Sequence, residues 1–276
     1  MTTPPHTYPT GVPSWIDLER VDTRAATTFY SAVLGWEFTV ATPPGVEPQY
    51  LVATLDGADA AAISGPTEAD SQWNTYIAVD DVETYEKKVE AAGGSVLVPA
   101  QDIGPAGRLA VCADPAGAEF RLWQAKNRLG VQVTNIPGAW NFSILDTPDP
   151  RAALQFYSAV FGWTSIGSDS ALGDLMVAQP GYGQHLTDTV DPDIFERQVG
   201  APEGFADVVA GIGPSIDGEP ARWRVQFSVE DREAAIASAT ELGATVVSTR
   251  ETDWTHEALI RDPAGAVFTA SQFVRA

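Results

Sequence analysis

Hydrophobic and polar positions along the chain fall into strand and helix patterns that recur in the same order. Residues 14–20 alternate as a half-buried strand, and Asp22 then offers an N-cap to a helix. Ala26, Phe29, Tyr30 and Val33 of that helix recur at three- and four-residue spacing, and Gly35 stops it. Strand-like runs follow at 37–40, 49–55 and 58–64, punctuated by Pro and Gly. A second unit opens with a strand at 73–79. Asp80 or Asp81 caps its helix, Gly93-Gly94 ends it, and strands are expected at 95–101, 108–113 and 119–124. Residues 125–137 read as a linker. Beyond it the plan repeats, with a strand at 140–146, a helix capped by Asp149 with Pro150 in its first turn and Gly162 at its end, a strand at 222–229, a helix at 232–242 and a last strand near 267–273.

The duplication is visible residue by residue. Asp22 to Trp36 and Asp149 to Trp163 match at eleven of fifteen positions, and Asp114-Pro-Ala-Gly-Ala118 recurs as Asp262-Pro-Ala-Gly-Ala266. The repeat is therefore a whole domain. The chain is expected to be an α+β protein of four βαβββ units in two tandem domains, residues 1–124 and 138–276. The second carries an insertion near 187–220. Within it, Asp191 to Gln198 can form a short helix, followed by glycine-rich connections at Gly200, Gly204, Gly211 and Gly213. A lid, a bridge between domains and a plain surface insertion are all compatible with that stretch.

Alternation assigns faces. The first strand places Ile16 and Leu18 toward helices and Trp15, Asp17 and Glu19 on the other face. Asn74, Tyr76 and Ala78 oppose Thr75, Ile77 and Val79, and Glu119, Arg121 and Trp123 oppose Phe120 and Leu122. The same parity in the second half yields Phe142, Ile144 and Asp146, then Arg224, Gln226 and Ser228, then Val267, Thr269 and Ser271. Each half thus has a polar and aromatic sheet face, and the two faces differ in chemistry.

Charge narrows the partners. With 37 acidic against 16 basic side chains the net charge is −21, a field that repels phosphate backbones and anionic lipid surfaces, so neither nucleic acid nor a membrane is expected to bind. No run approaches the roughly 18 apolar residues of a spanning helix, and the first ten residues lack an export signal, which makes a cytoplasmic protein the expectation. The single cysteine, Cys112, sits in an apolar strand and reads as a core filler.

The Phe-Tyr-x-x-Val-(Leu/Phe)-Gly-Trp helix ends and the Asp-Pro-x-Gly turn before each domain's last strand resemble the vicinal oxygen chelate superfamily, which includes glyoxalase I, extradiol dioxygenases and bleomycin-resistance proteins. The tandem form is most similar to two-domain glyoxalase-like proteins of actinobacteria. That resemblance implies curled mixed sheets around ligand cavities, and it makes a monomer or a homodimer the expected assembly. In metal-dependent members it implies metal ligands at positions which here hold Trp15, Asn74 and Arg121, and in the second domain Phe142, Arg224 and Thr269. A guanidinium repels a cation, so no metal and no other cofactor is expected. Of the three histidines, His6 lies in a disordered-looking tail, and His185 and His256 are far from those positions.

Aromatic side chains in place of ligands favour a small aromatic or polycyclic organic guest. Trp15, Asn74, Glu119, Arg121, Trp123, Phe142, Asp146, Arg224, Gln226 and Thr269 are the expected binding residues. Arg121 and Arg224 would hold a carboxylate, phenolate or quinone oxygen, or else internal partners: Asp17 or Glu119 for Arg121, Asp146 for Arg224. A carboxylate in an aromatic slot titrates high enough for acid–base work, which nominates Asp17, with Tyr76 and His185 as assistants; a surface loop is the plainer setting for His185. Two functions fit: a metal-independent cyclase, isomerase, dehydratase or lyase acting on an aromatic or polyketide-like secondary metabolite, or a non-catalytic protein that sequesters such a metabolite for self-resistance.

Overall fold

A computed structural model describes residues 5–20, 22–67, 71–166, 175–215 and 219–274. The first half runs β1 (Pro13–Glu19), α1 (Thr23–Leu34), β2 (Glu37–Val40), β3 (Gln49–Leu55), β4 (Ala58–Gly65), β5 (Gln72–Ala78), α2 (Val82–Ala91), β6 (Ser95–Asp102), β7 (Gly107–Ala113) and β8 (Glu119–Ala125). The second half runs β9 (Trp140–Thr147), α3 (Pro150–Phe161), β10 (Thr164–Ile166), β11 (Leu175–Ala178), α4 (Tyr182–Thr189), α5 (Ile194–Arg197), a 3-10 turn (Phe205–Asp207) and β12 (Val208–Pro214). It ends with β13 (Arg222–Ser228), α6 (Arg232–Glu241), β14 (Thr245–Glu251), β15 (Thr255–Arg261) and β16 (Val267–Phe273). The protein is α+β, with two tandem eight-stranded mixed sheets ordered β2-β3-β4-β1-β5-β8-β7-β6 and β10-β11-β12-β9-β13-β16-β15-β14. The two orders are the same pattern, as the repeat requires.

Capping residues bound the helices as the sequence implies. Asp22, Asp81, Asp149 and Asp231 each accept a backbone N–H from the first turn, which satisfies donors a helix start leaves unpaired. Gly35 and Gly162 close α1 and α3 at φ of 77° and 81°, a left-handed conformation that costs glycine little.

The insertion differs from expectation. Its helical part begins earlier, at Tyr182, and residues 208–214 form the final strand of the third βαβββ unit, parallel to β9. Gly211 pairs with Ile144 in that ladder, and a Cβ on it would lie 2.7 Å from the Ile144 Cδ1. The glycine there admits a neighbouring side chain instead of marking a loop.

Contacts group the chain into two compact units that are not its sequence halves: residues 1–15, 75–130 and 143–223 in one, and 16–74, 131–142 and 224–276 in the other. In the first unit Val79, Val82, Tyr85, Val89, Phe120 and Leu122 share a core with Phe156, Tyr157, Phe161, Trp163 and Trp223. The Tyr157 ring stacks on Trp163 at 5.0 Å and meets Trp223 edge-on at 5.5 Å. The second unit repeats this set, with Tyr30 stacked on Trp36 at 5.7 Å and edge-on to Trp73 at 5.3 Å.

A carboxylate sits at the centre of each aromatic set. Tyr30 donates its hydroxyl to Asp262 at 2.7 Å while accepting from the Trp73 indole at 3.1 Å, and Arg20 forms a buried ion pair with the same Asp262. In the first unit Tyr157 donates to Asp114 at 3.4 Å and accepts from Trp223 at 3.0 Å. The other oxygen of each aspartate accepts two backbone N–H groups of its own Asp-Pro-Ala-Gly turn. Burial raises the Asp114 carboxyl above its usual range and lifts both tyrosines well above theirs. Tyr30→Phe should therefore destabilise the protein by about 1–3 kcal/mol, because a buried carboxylate loses a donor. Urea unfolding monitored by tryptophan emission reads this; a change below about 0.5 kcal/mol would show the hydroxyl to be dispensable.

Candidate functional site

In the second unit, Asp17 lies in register with Ala62 of β4 and is only 1% exposed. Its Oδ1 accepts from the Asn74 amide at 2.9 Å and its Oδ2 from the Tyr50 hydroxyl at 3.2 Å. Two of its oxygen sites are thereby aimed by neighbours on β5 and β3. Tyr50 was not foreseen in the sequence, although its parity on β3, opposite Ser64, was available as a signal.

In the first unit, Tyr76 and Arg121 are ladder partners on β5 and β8. Arg121 donates from Nη1 to the Tyr76 hydroxyl at 2.9 Å, and its guanidinium carbon lies 5.3 Å from the Tyr76 ring centroid. Trp123 meets Tyr76 edge-on at 6.1 Å. Arg128, from the stretch read as linker, places its guanidinium 5.4 Å from the Trp15 ring and accepts the Trp123 indole N–H on its backbone carbonyl at 3.0 Å. Glu119 stands exposed at the start of β8.

The second-half counterparts are different. Ile144 stands 127 residues after Asp17 and Arg224 stands 150 after Asn74, so the buried acid has no equivalent there. Arg224 donates to the Thr269 hydroxyl, and Gln226 is the ladder partner of Thr269. Phe142 is half-buried and Asp146 buried.

His185 lies on α4 with Nε2 2.8 Å from the Thr7 carbonyl oxygen. That contact places the N-terminal segment against the protein, and His6 is not in a loose tail. It is 7% exposed, stacks on Tyr8 at 4.2 Å and shares a 3.1 Å hydrogen bond with the Tyr8 hydroxyl through Nδ1. Aromatic stacking and burial overrode the polar, proline-rich look of residues 5–10. His256 lies on β15, half-buried opposite Gln272.

The glyoxalase-like domain family matches residues 15–123 and again 143–271. The chain belongs to that family. The match, together with the fold, places it in the vicinal oxygen chelate superfamily. The Mycobacterium bovis protein CFP32, named a candidate glyoxylase, is 35% identical over 95% of both chains. The Streptomyces peucetius anthracycline biosynthesis protein DnrV is 32% identical over 94% of this chain and 92% of its own. The Mn(II)-bound glyoxalase of Novosphingobium aromaticivorans shares the fold, with a TM-score of 0.62 at 15% identity over 95% of this chain and 82% of that one.

At the positions where the resemblance implies metal ligands, the residues of this glyoxalase-like protein do not fit a divalent cation. Arg121 and Arg224 place guanidinium groups there, and the Asn74 amide nitrogen is spent on Asp17. Among the described residues, no group of three or more His, Cys, Asp or Glu is placed to hold an ion, and no helix is long and apolar enough to cross a membrane.

Burial, and secondarily the nearby His185, lowers the His6 pKa to about 4. The unfolded chain protonates this imidazole near pH 6.5 and the folded chain does so only near 4. Stability from neutral His6 is therefore complete above pH 6.5 and falls away between there and pH 4, by roughly 3 kcal/mol. His6→Gln should flatten that part of the stability curve. Equal losses for both proteins between pH 7 and 4 would place the titration elsewhere.

Proposed function

We propose that this protein is a tailoring enzyme of secondary metabolism that works without a metal. Its reaction would be an acid–base step of the cyclase, isomerase, dehydratase or lyase type on an aromatic or polyketide-like substrate. The observation that carries this reading is Asp17, a carboxylate 1% exposed whose two oxygens are oriented by Asn74 and Tyr50. The anthracycline biosynthesis relatives at 32% identity support an aromatic polyketide as the substrate class.

In the proposed step Asp17 accepts a proton from a carbon or hydroxyl acid of the guest. Tyr50 and Asn74 keep the receiving oxygen in place. In the first unit, Arg121 and the Tyr76 hydroxyl it holds are a distinct pair of donors, suited to a phenolate or carboxylate oxygen of a guest. In that same first unit, Trp15 and Trp123 supply flat aromatic surface for a ring system. In the second half Arg224 and Phe142 can hold a guest, and the strand equivalent to β1 carries Ile144 where β1 carries the acid.

That same absence supports the rival reading, sequestration without chemistry, since the second copy of this strand lacks the acid. The two separate in one experiment. A tetracyclic aromatic polyketide that quenches tryptophan emission is incubated overnight with the protein and recovered for mass spectrometry and chromatography. A new product, including an isomer of unchanged mass and shifted retention, supports an enzyme; quantitative return of the starting compound supports a trap. Asp17→Asn keeps an acceptor for Asn74 and should reduce turnover by about 10²-fold or more while affinity stays within about threefold. Undiminished turnover would remove Asp17 from the mechanism.

A further inference from the structure

A cleft that has Trp123 in common with the aromatic surface described above lies in the first unit, between residues 7–10 and the ends of β5 and β8. Its volume is about 280 Å³, enough for a single-ring molecule. Tyr8, Val79, Trp123 and Leu129 supply apolar and aromatic walls, and Asp80 is its one carboxylate. Asp80 is exposed and is not the cap of α2, a task Asp81 performs by accepting from the Thr84 N–H at 2.7 Å.

The walls are held independently of any guest. Gly11 donates to the Ala78 carbonyl at 2.8 Å and Ala78 donates back to Val12 at 2.9 Å, which pins the N-terminal segment along the end of β5. The contact of His185 with the Thr7 carbonyl anchors its other side. Trp123 is oriented by its indole hydrogen bond to Arg128, and Gly130 leaves space for Tyr8, whose ring carbon would lie 2.7 Å from a Cβ added there. An aromatic-walled slot with a carboxylate at its edge is suited to a ring bearing a positive charge, through stacking, cation–π attraction and an ion pair. The net charge of −21 raises the local concentration of such cations.

We propose that this cleft is a binding site for a small aromatic amine in its ammonium form, with Trp123 and Tyr8 against the ring and Asp80 against the charge. The proposal does not depend on the reaction assigned to Asp17. Benzylamine is the probe, titrated into the intact ¹⁵N-labelled protein at pH 7 with resonances assigned. Saturable shifts should concentrate on the Trp123 indole and the amides of Thr10, Asp80 and Leu129. Asp80→Asn should weaken binding about threefold, the scale of one exposed ion pair, and added salt should act in the same direction. Benzoate should leave these resonances in place. Shifts elsewhere only, equal response to benzoate, or undiminished affinity in Asp80→Asn would each overturn the proposal.

Discussion

The interaction on which both units depend is a buried aspartate that ties a turn to a helix distant in sequence. A carboxylate removed from water is costly unless its lone pairs find donors, and here each finds them in two backbone N–H groups of its own turn and one tyrosine hydroxyl. The tyrosine in turn accepts from a tryptophan, so a chain of hydrogen bonds runs from turn to helix to strand. Removing any link strands the others. Because Asp262 meets Tyr30 and Asp114 meets Tyr157, each unit joins a helix from one half of the sequence to a turn from the other. The folded halves are interdependent for that reason, and the pattern of matching residues survives in both copies.

Against this conserved frame the sheet faces have separated. Each pair of equivalent strands has the same place in its ladder, yet one carries Asp17, Asn74, Tyr76 and Arg121 where the other carries Ile144, Arg224, Gln226 and Thr269. Framework positions are bound by packing and by hydrogen bonds that fail together, whereas a face residue answers only to what it touches. A fold of this kind hosts many reactions, so the residues on the face, and not the family, must carry the functional argument.

Much of the fold was legible because its signals are local. Asp22 and Gly35, or Asp149, Pro150 and Gly162, bracket helices whose ends they satisfy directly, and alternation along 15–19 separated the core residues Ile16 and Leu18 from Asp17. The signals failed where a residue's role depends on a distant partner. Gly211 and Gly213 resembled loop residues, but the first makes room for Ile144 within a strand. Asp114 and Asp262 were readable as turn formers, and their second task was invisible without Tyr157 and Tyr30 beside them. For the site, parity marked Asp17, Asn74, Tyr76 and Arg121 as sharing a character, while Tyr50 and Arg128 came from a strand whose faces were unassigned and from a supposed linker.

The degree of burial bears on how such a face can choose a guest. Asp17, Asn74, Tyr76 and Arg121 are all less than a tenth exposed, and each already makes a hydrogen bond within the protein. A guest at either pair, Asp17 with Asn74 or Tyr76 with Arg121, would therefore gain only the difference between the bonds it offers and those it displaces. A molecule that supplies shape without matching donors and acceptors leaves charged groups buried and unpaired, a penalty larger than most single contacts can offset. On the proposed reading, discrimination at either pair would arise chiefly from rejecting mismatched polar groups, and tryptophan stacking would add affinity largely indifferent to which planar molecule provides it.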